Sequence, residues 1–168
     1  MTDAVVVDTN ILEHVFDPIM NADGHVERLL RKFTEQRRKL CVDTPSTNQK
    51  STIIAEYEHR LQSRWKTMDD QGQIIQWLRY IVIYAERVGT AVDLADRLGK
   101  LIVPQMNRVG AERSDQRFVY VACALNSIMI SNNARHVTNL RTGLRKAARK
   151  IDSDDTDFLT SQQAEAGM

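Results

Sequence analysis

The sequence predicts a three-layer α/β/α sandwich around a central, mostly parallel β-sheet, with a helical insert at about 66–108. Short apolar runs alternate along the chain with segments that have helical periodicity. Strands and helices in alternation are joined by right-handed crossovers, which align the strands in parallel under a cover of helices. The 168 residues, 42% of them hydrophobic and 27% charged, suit one domain with a full core. We expect this domain to span 1–160 and a polar, frayed tail to occupy 161–168.

Three short apolar runs predict the strands. Ala4–Val7 contains three successive valines, and the β-branched valine side chain favours extended backbone. A continuous apolar run is typical of a central parallel strand that is buried on both faces. Residues 40–42 and Ile128–Ile130 show the same pattern. Each of the three runs therefore predicts a short strand.

The segments between these runs have apolar residues at intervals of three or four, which is the spacing of one helix face. They predict helices over 21–38, 48–65, 115–125 and 141–150. The insert at about 66–108 is predicted to be mostly helical, with a break near Gly89 and Thr90.

Composition restricts the class of protein. The longest apolar stretches, such as 119–125, are too short to span a bilayer, and the first residues lack the pattern of a signal peptide. Cys41 and Cys123 lie in apolar runs without a CxxC motif or a nearby His pair, which argues against a zinc site or a disulfide framework. The net charge of +1 gives no overall attraction for nucleic acid, so a basic surface has to be local. We therefore expect a cytoplasmic protein without membrane contact.

Polar clusters follow the predicted strands directly, and they are Asp8-Thr9-Asn10, Asp43-Thr44 and Ser131-Asn132-Asn133. Ligands of open parallel sheets bind at the carboxyl ends of the strands, so these clusters mark the candidate site.

Two helices add carboxylates that could reach this edge of the sheet. Glu56 lies at the border of the apolar face of its helix, and Asp115 precedes the most apolar helix of the chain. Each candidate also has a simpler structural interpretation. Asp8 and Asp115 are suited to cap a helix. Glu56 could be a solvated helix residue, and Asn133 could serve a turn.

Taken together, the carboxylates predict a metal site. If Asp8, Glu56 and Asp115 converge, they repel one another strongly unless a cation neutralises them. Oxygen ligands without a suitable His or Cys favour Mg²⁺ or Mn²⁺ over zinc. Such cations activate water and stabilise the charge that develops in phosphodiester cleavage. The sequence therefore indicates chemistry on phosphodiesters.

Four segments in this order resemble the sequence blocks of PIN-domain nucleases, and they are VVVDTNIL, AEYEHRL, SDQRFVYVACAL and IMISNN. The resemblance covers residues 4–133, and TDFL at 156–159 is similar to a C-terminal segment of many members. It implies a parallel sheet between helices, metal-dependent cleavage of RNA, and metal binding by Asp8, Glu56 and Asp115. The fourth block normally ends on a carboxylate, whereas here it ends on Asn133, which implies weaker metal binding or reduced activity.

The resemblance also implies supporting roles. Thr9, Asn10 and Ser131 would orient the carboxylates or a water molecule around one or two cations. Many bacterial members are VapC-like toxins that pair with an antitoxin protein. This chain is longer than the compact toxins because of its insert, so the toxin role stays open.

A basic stripe on the predicted helix 141–150 is the candidate RNA-binding surface. It consists of Arg141, Arg145, Lys146 and Arg149, and no acidic residue interrupts it. Phosphate contacts would use such a stripe, and an acidic antitoxin could use it equally well. A solvated helix face is the alternative interpretation.

Two other functions fit parts of the pattern. Phosphotransferases of the haloacid dehalogenase type also place an Asp after the first strand, but their second Asp would stand where this chain has Asn10. A degenerate PIN-like module that binds RNA or a protein is favoured by Asn133 and disfavoured by the retained carboxylates.

Two further expectations concern packing. Ile74, Leu78 and Ile81 in the insert could form part of a homodimer face. The histidines have neither metal-ligand spacing nor a neighbouring nucleophile motif, so we expect surface or packing roles for His14, His25, His59 and His136.

Overall fold

A computed structural model of the chain describes residues 4–36, 38–44, 51–67, 86–89, 99–111 and 113–167. Its strands are β1 (Ala4–Val7), β2 (Lys39–Thr44), β3 (Glu86–Gly89), β4 (Ile128–Ile130) and β5 (Asp157–Leu159). They form one sheet in the order β3-β2-β1-β4-β5, and all neighbouring strands are parallel. The predicted α/β class with a parallel central sheet is therefore confirmed.

The valine strand β1 lies at the centre of the sheet between β2 and β4. Val5 pairs with Leu40 on one side and with Ile128 on the other. Val5, Val6 and Val7 are all buried, as expected of a central parallel strand. Because β1 and β4 run in register to their ends, the residues that follow them emerge side by side.

Helices cover this sheet. They are α1 (Thr9–His14), α2 (His25–Glu35), α3 (Thr52–Thr67), α4 (Val103–Asn107), α5 (Arg113–Ala124), α6 (Arg141–Arg149) and α7 (Ser161–Gly167), with a short 3₁₀ turn at Thr138–Leu140 before α6. Helix α5 contacts β1, β2 and β4, and α3 contacts β2, α1 and α5. The rings of Tyr57 and Phe118 lie 6.1 Å apart between α3 and α5, and both side chains are fully buried. These contacts fix the two carboxylate-bearing helices against the sheet.

The predicted helical insert differs from the structure at β3. Glu86–Gly89 is a strand that pairs with β2, with Val42 opposite Arg87. A four-residue segment with two charged side chains has no apolar run that would indicate a strand, so its pairing depends on the exposed edge of β2. The other parts of the insert at 68–85 and 90–98 lie outside the described residues, as do Ile74, Leu78 and Ile81 of the suggested homodimer face.

The predicted frayed tail is instead a helix that packs on the domain. Thr160 Oγ1 accepts the backbone N–H of Gln163 at 3.2 Å, and Gln163 Oε1 accepts the N–H of Thr160 at 3.0 Å. This reciprocal pair is a capping box, which starts α7 after the final strand. Ala164 is buried, and α7 contacts α2 and β5. Because the segment is mostly polar, its sequence does not indicate which face packs on the domain.

Two expectations from composition can be compared with the described part of the chain. None of its helices has the length and apolarity needed to cross a bilayer. Cys41 and Cys123 are buried and unbonded to each other, as their apolar surroundings predict.

Asp43, at the end of β2, caps a helix. Its buried carboxylate accepts the Ser51 hydroxyl at 2.7 Å and the N–H groups of Thr52 and Ile53 at 3.2 and 2.9 Å. Burial raises the pKa of Asp43, but these bonds and that of the Thr52 hydroxyl outweigh burial and hold the pKa below 3.8. Asp43, which lies on β2, thus accepts hydrogen bonds from the N–H groups at the amino end of α3, which have no partner within the helix.

We predict that Asp43→Asn destabilises the fold by about 2 kcal/mol at pH 7, because the amide cannot accept all of these bonds. Since the folded pKa of Asp43 is lowered, its contribution is complete above pH 3.8 and is lost as the pH falls through the folded pKa. Urea unfolding followed by circular dichroism at pH 7 and pH 3 measures both effects. An equal destabilisation at the two pH values would contradict the ionised cap.

Candidate active site

The backbone pairing of β1 and β4 places Asp8 at the centre of the candidate site. Its N–H donates to the carbonyl of Ile130 at 2.9 Å, which extends the ladder by one bond. Asp8 also caps α1, since its carboxylate accepts the N–H of Asn10 at 3.4 Å. Asp8 can therefore cap α1 and belong to the candidate site at the same time.

The Asp8 carboxylate is buried with few partners. It is 4% exposed, and its Oδ2 accepts the hydroxyl of Ser131 at 2.5 Å. Burial, together with the charges of Asp115 and Glu56, outweighs the bonds from Ser131 and Asn10 and raises the pKa of Asp8 to about 6. Within the described part of the chain, no Lys or Arg forms an ion pair with this carboxylate. The described residues therefore give Asp8 no cationic partner when it is ionised.

Glu56 reaches the same edge from α3. Its Oε1 accepts the hydroxyl of Thr9 at 2.8 Å. Burial raises the pKa of Glu56, the Thr9 bond and the charge of Arg60 oppose this, and Asp115 adds to it. The hydroxyl of Tyr57, the next residue along, donates to the carbonyl of Val7 at the end of β1. This bond ties α3 to the strand that ends in Asp8.

Asp115 lies in the first turn of α5 and is half-buried. Its Oδ2 is 2.8 Å from Nδ1 of His136, and Nδ2 of Asn133 donates weakly to both carboxylate oxygens at 3.4 and 3.5 Å. The other end of the Asn133 side chain accepts the N–H of His136 at 3.1 Å. Asn133 therefore faces Asp115 as a neutral donor, where the resemblance leads one to expect a carboxylate.

The groups suggested as supporting residues also meet here. Thr9 binds Glu56, Ser131 binds Asp8, and Nδ2 of Asn10 donates to the Ser131 hydroxyl at 3.3 Å. The Ser131 hydroxyl accepts the N–H of Asn133 at 3.0 Å as well. Thr9 and Ser131 thus orient Glu56 and Asp8 directly, and Asn10 holds the Ser131 hydroxyl.

The donor set suits an oxygen-preferring divalent cation. The charges of Asp115 and Glu56 raise the pKa of Asp8, and the charge of Asp115 raises the pKa of Glu56; a bound cation would reverse both effects. No three His, Cys, Asp or Glu side chains among the described residues are already gathered at ligand distance around one point. Mg²⁺ commonly binds through one or two carboxylates and retains water, so a complete protein cage is not required.

His136 belongs to the site, although its sequence pattern predicts only a surface or packing role. Its ring contacts Asp115 through Nδ1, while its Nε2 is buried and has no hydrogen-bond partner in the described part of the chain. Neither a metal-ligand spacing nor a nucleophile motif marks this histidine. Its position three residues after Asn133, in a turn that folds back on α5, brings it to Asp115.

The predicted RNA-binding stripe on α6 divides into two parts. Arg141 makes two hydrogen bonds to Asp157 at 2.7 and 2.6 Å, and Arg145 lies 3.7 Å from the same carboxylate. Lys146 and Arg149 are exposed. The first pair anchors α6 to β5, and the second pair faces solvent.

Comparison with known proteins gives a weak structural likeness. No family model and no curated protein matches the chain. Among solved structures, it is similar to a chain in the crystal structure of VapBC2 from Rickettsia felis bound to a DNA fragment from their promoter. The match has 12% identity and a TM-score of 0.45, and it covers 94% of this chain and 98% of that one. A likeness at this level carries no weight for function.

We predict that Asp8→Asn makes the metal-free protein more stable at pH 7.5. Below pH 3.8 the Asp8 carboxyl is protonated in both folded and unfolded chains. As the pH rises to about 6, the unfolded chain ionises first, and the folded state loses stability, by up to about 3 kcal/mol. The neutral asparagine avoids this loss.

Urea unfolding in a chelating buffer at pH 5 and pH 7.5 measures the difference. Glu58→Gln, which changes an exposed carboxylate on α3, is the matched control and should behave as wild type. A lower stability of Asp8→Asn at pH 7.5 would show that the ionised carboxylate is well solvated or paired.

Proposed function

We propose that the chain is a cytoplasmic, Mg²⁺- or Mn²⁺-dependent endoribonuclease of the PIN type. The observation that carries this proposal is the buried carboxylate of Asp8 at the carboxyl end of β1, whose pKa is raised to about 6 by burial and by the charges of Asp115 and Glu56. Carboxylates that act on one another in this way favour the binding of a cation between them. The sequence blocks that resemble PIN-domain nucleases supply the same three residues in order.

The division of roles follows from the contacts. A divalent cation would activate water and stabilise the charge on the scissile phosphate. Asp8 and Asp115 would hold the cation, with Glu56 as the third carboxylate. Thr9 and Ser131 keep Glu56 and Asp8 in orientations that retain free oxygen lone pairs.

Asn133 supports a second candidate, a weakened PIN-like module that binds RNA or a protein. Its amide and the ring of His136 both contact the carboxylate of Asp115, so this group has fewer lone pairs for a cation. The lost negative charge also lowers cation affinity. Asp8 and Glu56 accept bonds only from Thr9, Asn10 and Ser131 among the described residues and so retain lone pairs for a cation, which favours the nuclease.

RNA is the substrate class that we propose, and α6 offers part of its binding surface. Lys146 and Arg149 are exposed, and both could bind phosphates. Arg141 and Arg145 are engaged with Asp157, so they are poorer candidates than their sequence spacing suggests. The same exposed pair could bind an acidic antitoxin, if the protein is the toxin of a toxin–antitoxin pair.

We expect Asp8→Asn to abolish Mg²⁺- or Mn²⁺-dependent cleavage of RNA, since it removes the central carboxylate while preserving the cap of α1. A fluorophore–quencher RNA pool measures cleavage, and sequencing of RNA ends after induced expression identifies the cut sites. In a thermal-shift assay, Mn²⁺ should raise the melting temperature of wild type only.

Glu58→Gln serves again as the matched control, because its side chain is exposed on the helix that carries Glu56. Cleavage by Asp8→Asn at the wild-type rate would refute the assignment. Mn²⁺ stabilisation of wild type without any cleavage would instead support the weakened module.

We expect Asn133→Asp to bind Mn²⁺ about tenfold more tightly than wild type, because it adds a carboxylate beside Asp115. Isothermal titration calorimetry measures the change. Asn139→Asp adds the same charge in the 3₁₀ turn and controls for net charge. Equal affinity of Asn133→Asp and wild type would place residue 133 outside the site.

A further inference from the structure

Asn132 links the candidate site to the C-terminal helix. It follows β4 between Ser131 and Asn133, and its side chain is half-buried. The side-chain Oδ1 accepts the N–H of Ser161 at 2.9 Å, and Nδ2 lies 2.9 Å from the Ser161 hydroxyl. These bonds join the end of β4 to the first residue of α7.

The same residue is bonded to the acidic site through its backbone. The N–H of Asn132 donates to Oδ1 of Asn10 at 3.0 Å. The amide of Asn10 donates to the Ser131 hydroxyl at 3.3 Å, which in turn donates to Asp8 at 2.5 Å. These hydrogen bonds, joined by the link between the side chain and the backbone of Asn132, therefore connect α7 to the carboxylate of Asp8.

His14 completes the surroundings of the Asn132 amide. Its Nδ1 lies 2.9 Å from Nδ2 of Asn132. Burial lowers the pKa of His14 against the charges of Asp17 and Glu13, which favours the neutral ring that can accept this bond. Every polar atom of the Asn132 side chain thus has a partner from α1 or α7.

Ser161 is held from the other side by His25 and Asp23. The Ser161 hydroxyl lies 2.8 Å from Nε2 of His25, whose Nδ1 lies 2.6 Å from Asp23. The order Asp-His-Ser is that of a hydrolase triad, but Ser161 is 1% exposed and its hydroxyl also bonds Asn132. The array therefore secures α7 and lacks access for a substrate.

We propose that Asn132 is a positioning residue of the metal site and that α7 acts through it to hold Asn10 and Ser131 around Asp8. This inference rests on the proposed metal-dependent function. Residues that orient metal-binding carboxylates affect metal affinity by about 10- to 100-fold when they are removed. The C-terminal helix is accordingly a part of the site, although it supplies no ligand.

The test is Mn²⁺ affinity, measured from the electron paramagnetic resonance signal of free Mn²⁺ during titration. Asn132→Ala should raise the dissociation constant about tenfold. Cleavage by this variant should return to the wild-type rate at saturating Mn²⁺. Glu165→Gln is the matched control, since it weakens the contact of α7 with Arg28 and Lys32 but leaves Asn132 untouched.

The outcomes separate the two proposals. If wild type binds Mn²⁺ and Asn132→Ala binds it within twofold of wild type, the positioning role is overturned and the proposed function stands. If wild type binds no Mn²⁺, the proposed function fails and the positioning role fails with it. Should Asn132→Ala not fold, Ser161→Pro carries the test, because it removes both the N–H and the hydroxyl that bond Asn132, and proline is tolerated at the first position of a helix. An unchanged affinity would again overturn the role.

Discussion

The parallel pairing of β1 with β4 is the constraint from which the candidate site follows. Val7 lies opposite Ile130, and the next backbone bond joins Asp8 to the same strand. Asp8 and Ser131 therefore emerge together at one edge, within hydrogen-bonding distance. A shift of this register by one residue would turn each side chain of β1 to the opposite face of the sheet and would separate Asp8 from Ser131. Core packing thus positions the polar groups that follow the strands.

Burial then gives these groups their electrostatic character. A carboxylate on the surface would keep a pKa near its usual value, but Asp8 is enclosed by the sheet and α1 and has acidic neighbours. The metal-free fold pays a cost in stability at neutral pH, which a bound cation would offset. Asp115 avoids part of this cost through His136 and Asn133. The same contacts would make Asp115 a weaker ligand of the proposed cation, so we expect Asn133 to affect both stability and metal binding.

Much of this arrangement could be predicted from the sequence, because its signals are local. Three valines and a following Asp indicate a buried strand that ends at a site, and the structure bears out the strand. The helices that carry Glu56 and Asp115 could be predicted because apolar residues recur in both segments at intervals of three or four. The docking of α7 was missed, although the capping box at Thr160 was present in the sequence. The strand β3 had no such signal, since a short polar segment pairs only where a neighbouring strand edge is available.

Residue patterns along the chain were sufficient to predict the parallel sheet, the central valine strand and the acidic residues, because apolar runs and helical periodicity depend on neighbours in the sequence. The contacts of each polar side chain depended on the folded structure. It assigned Asp43 to a helix cap, placed His136 on Asp115, and engaged Arg141 with Asp157. It also connected the C-terminal helix to the site through Asn132. These contacts join residues that are distant along the chain, so their partners depend on the path of the folded backbone, which the spacing of residue types does not specify.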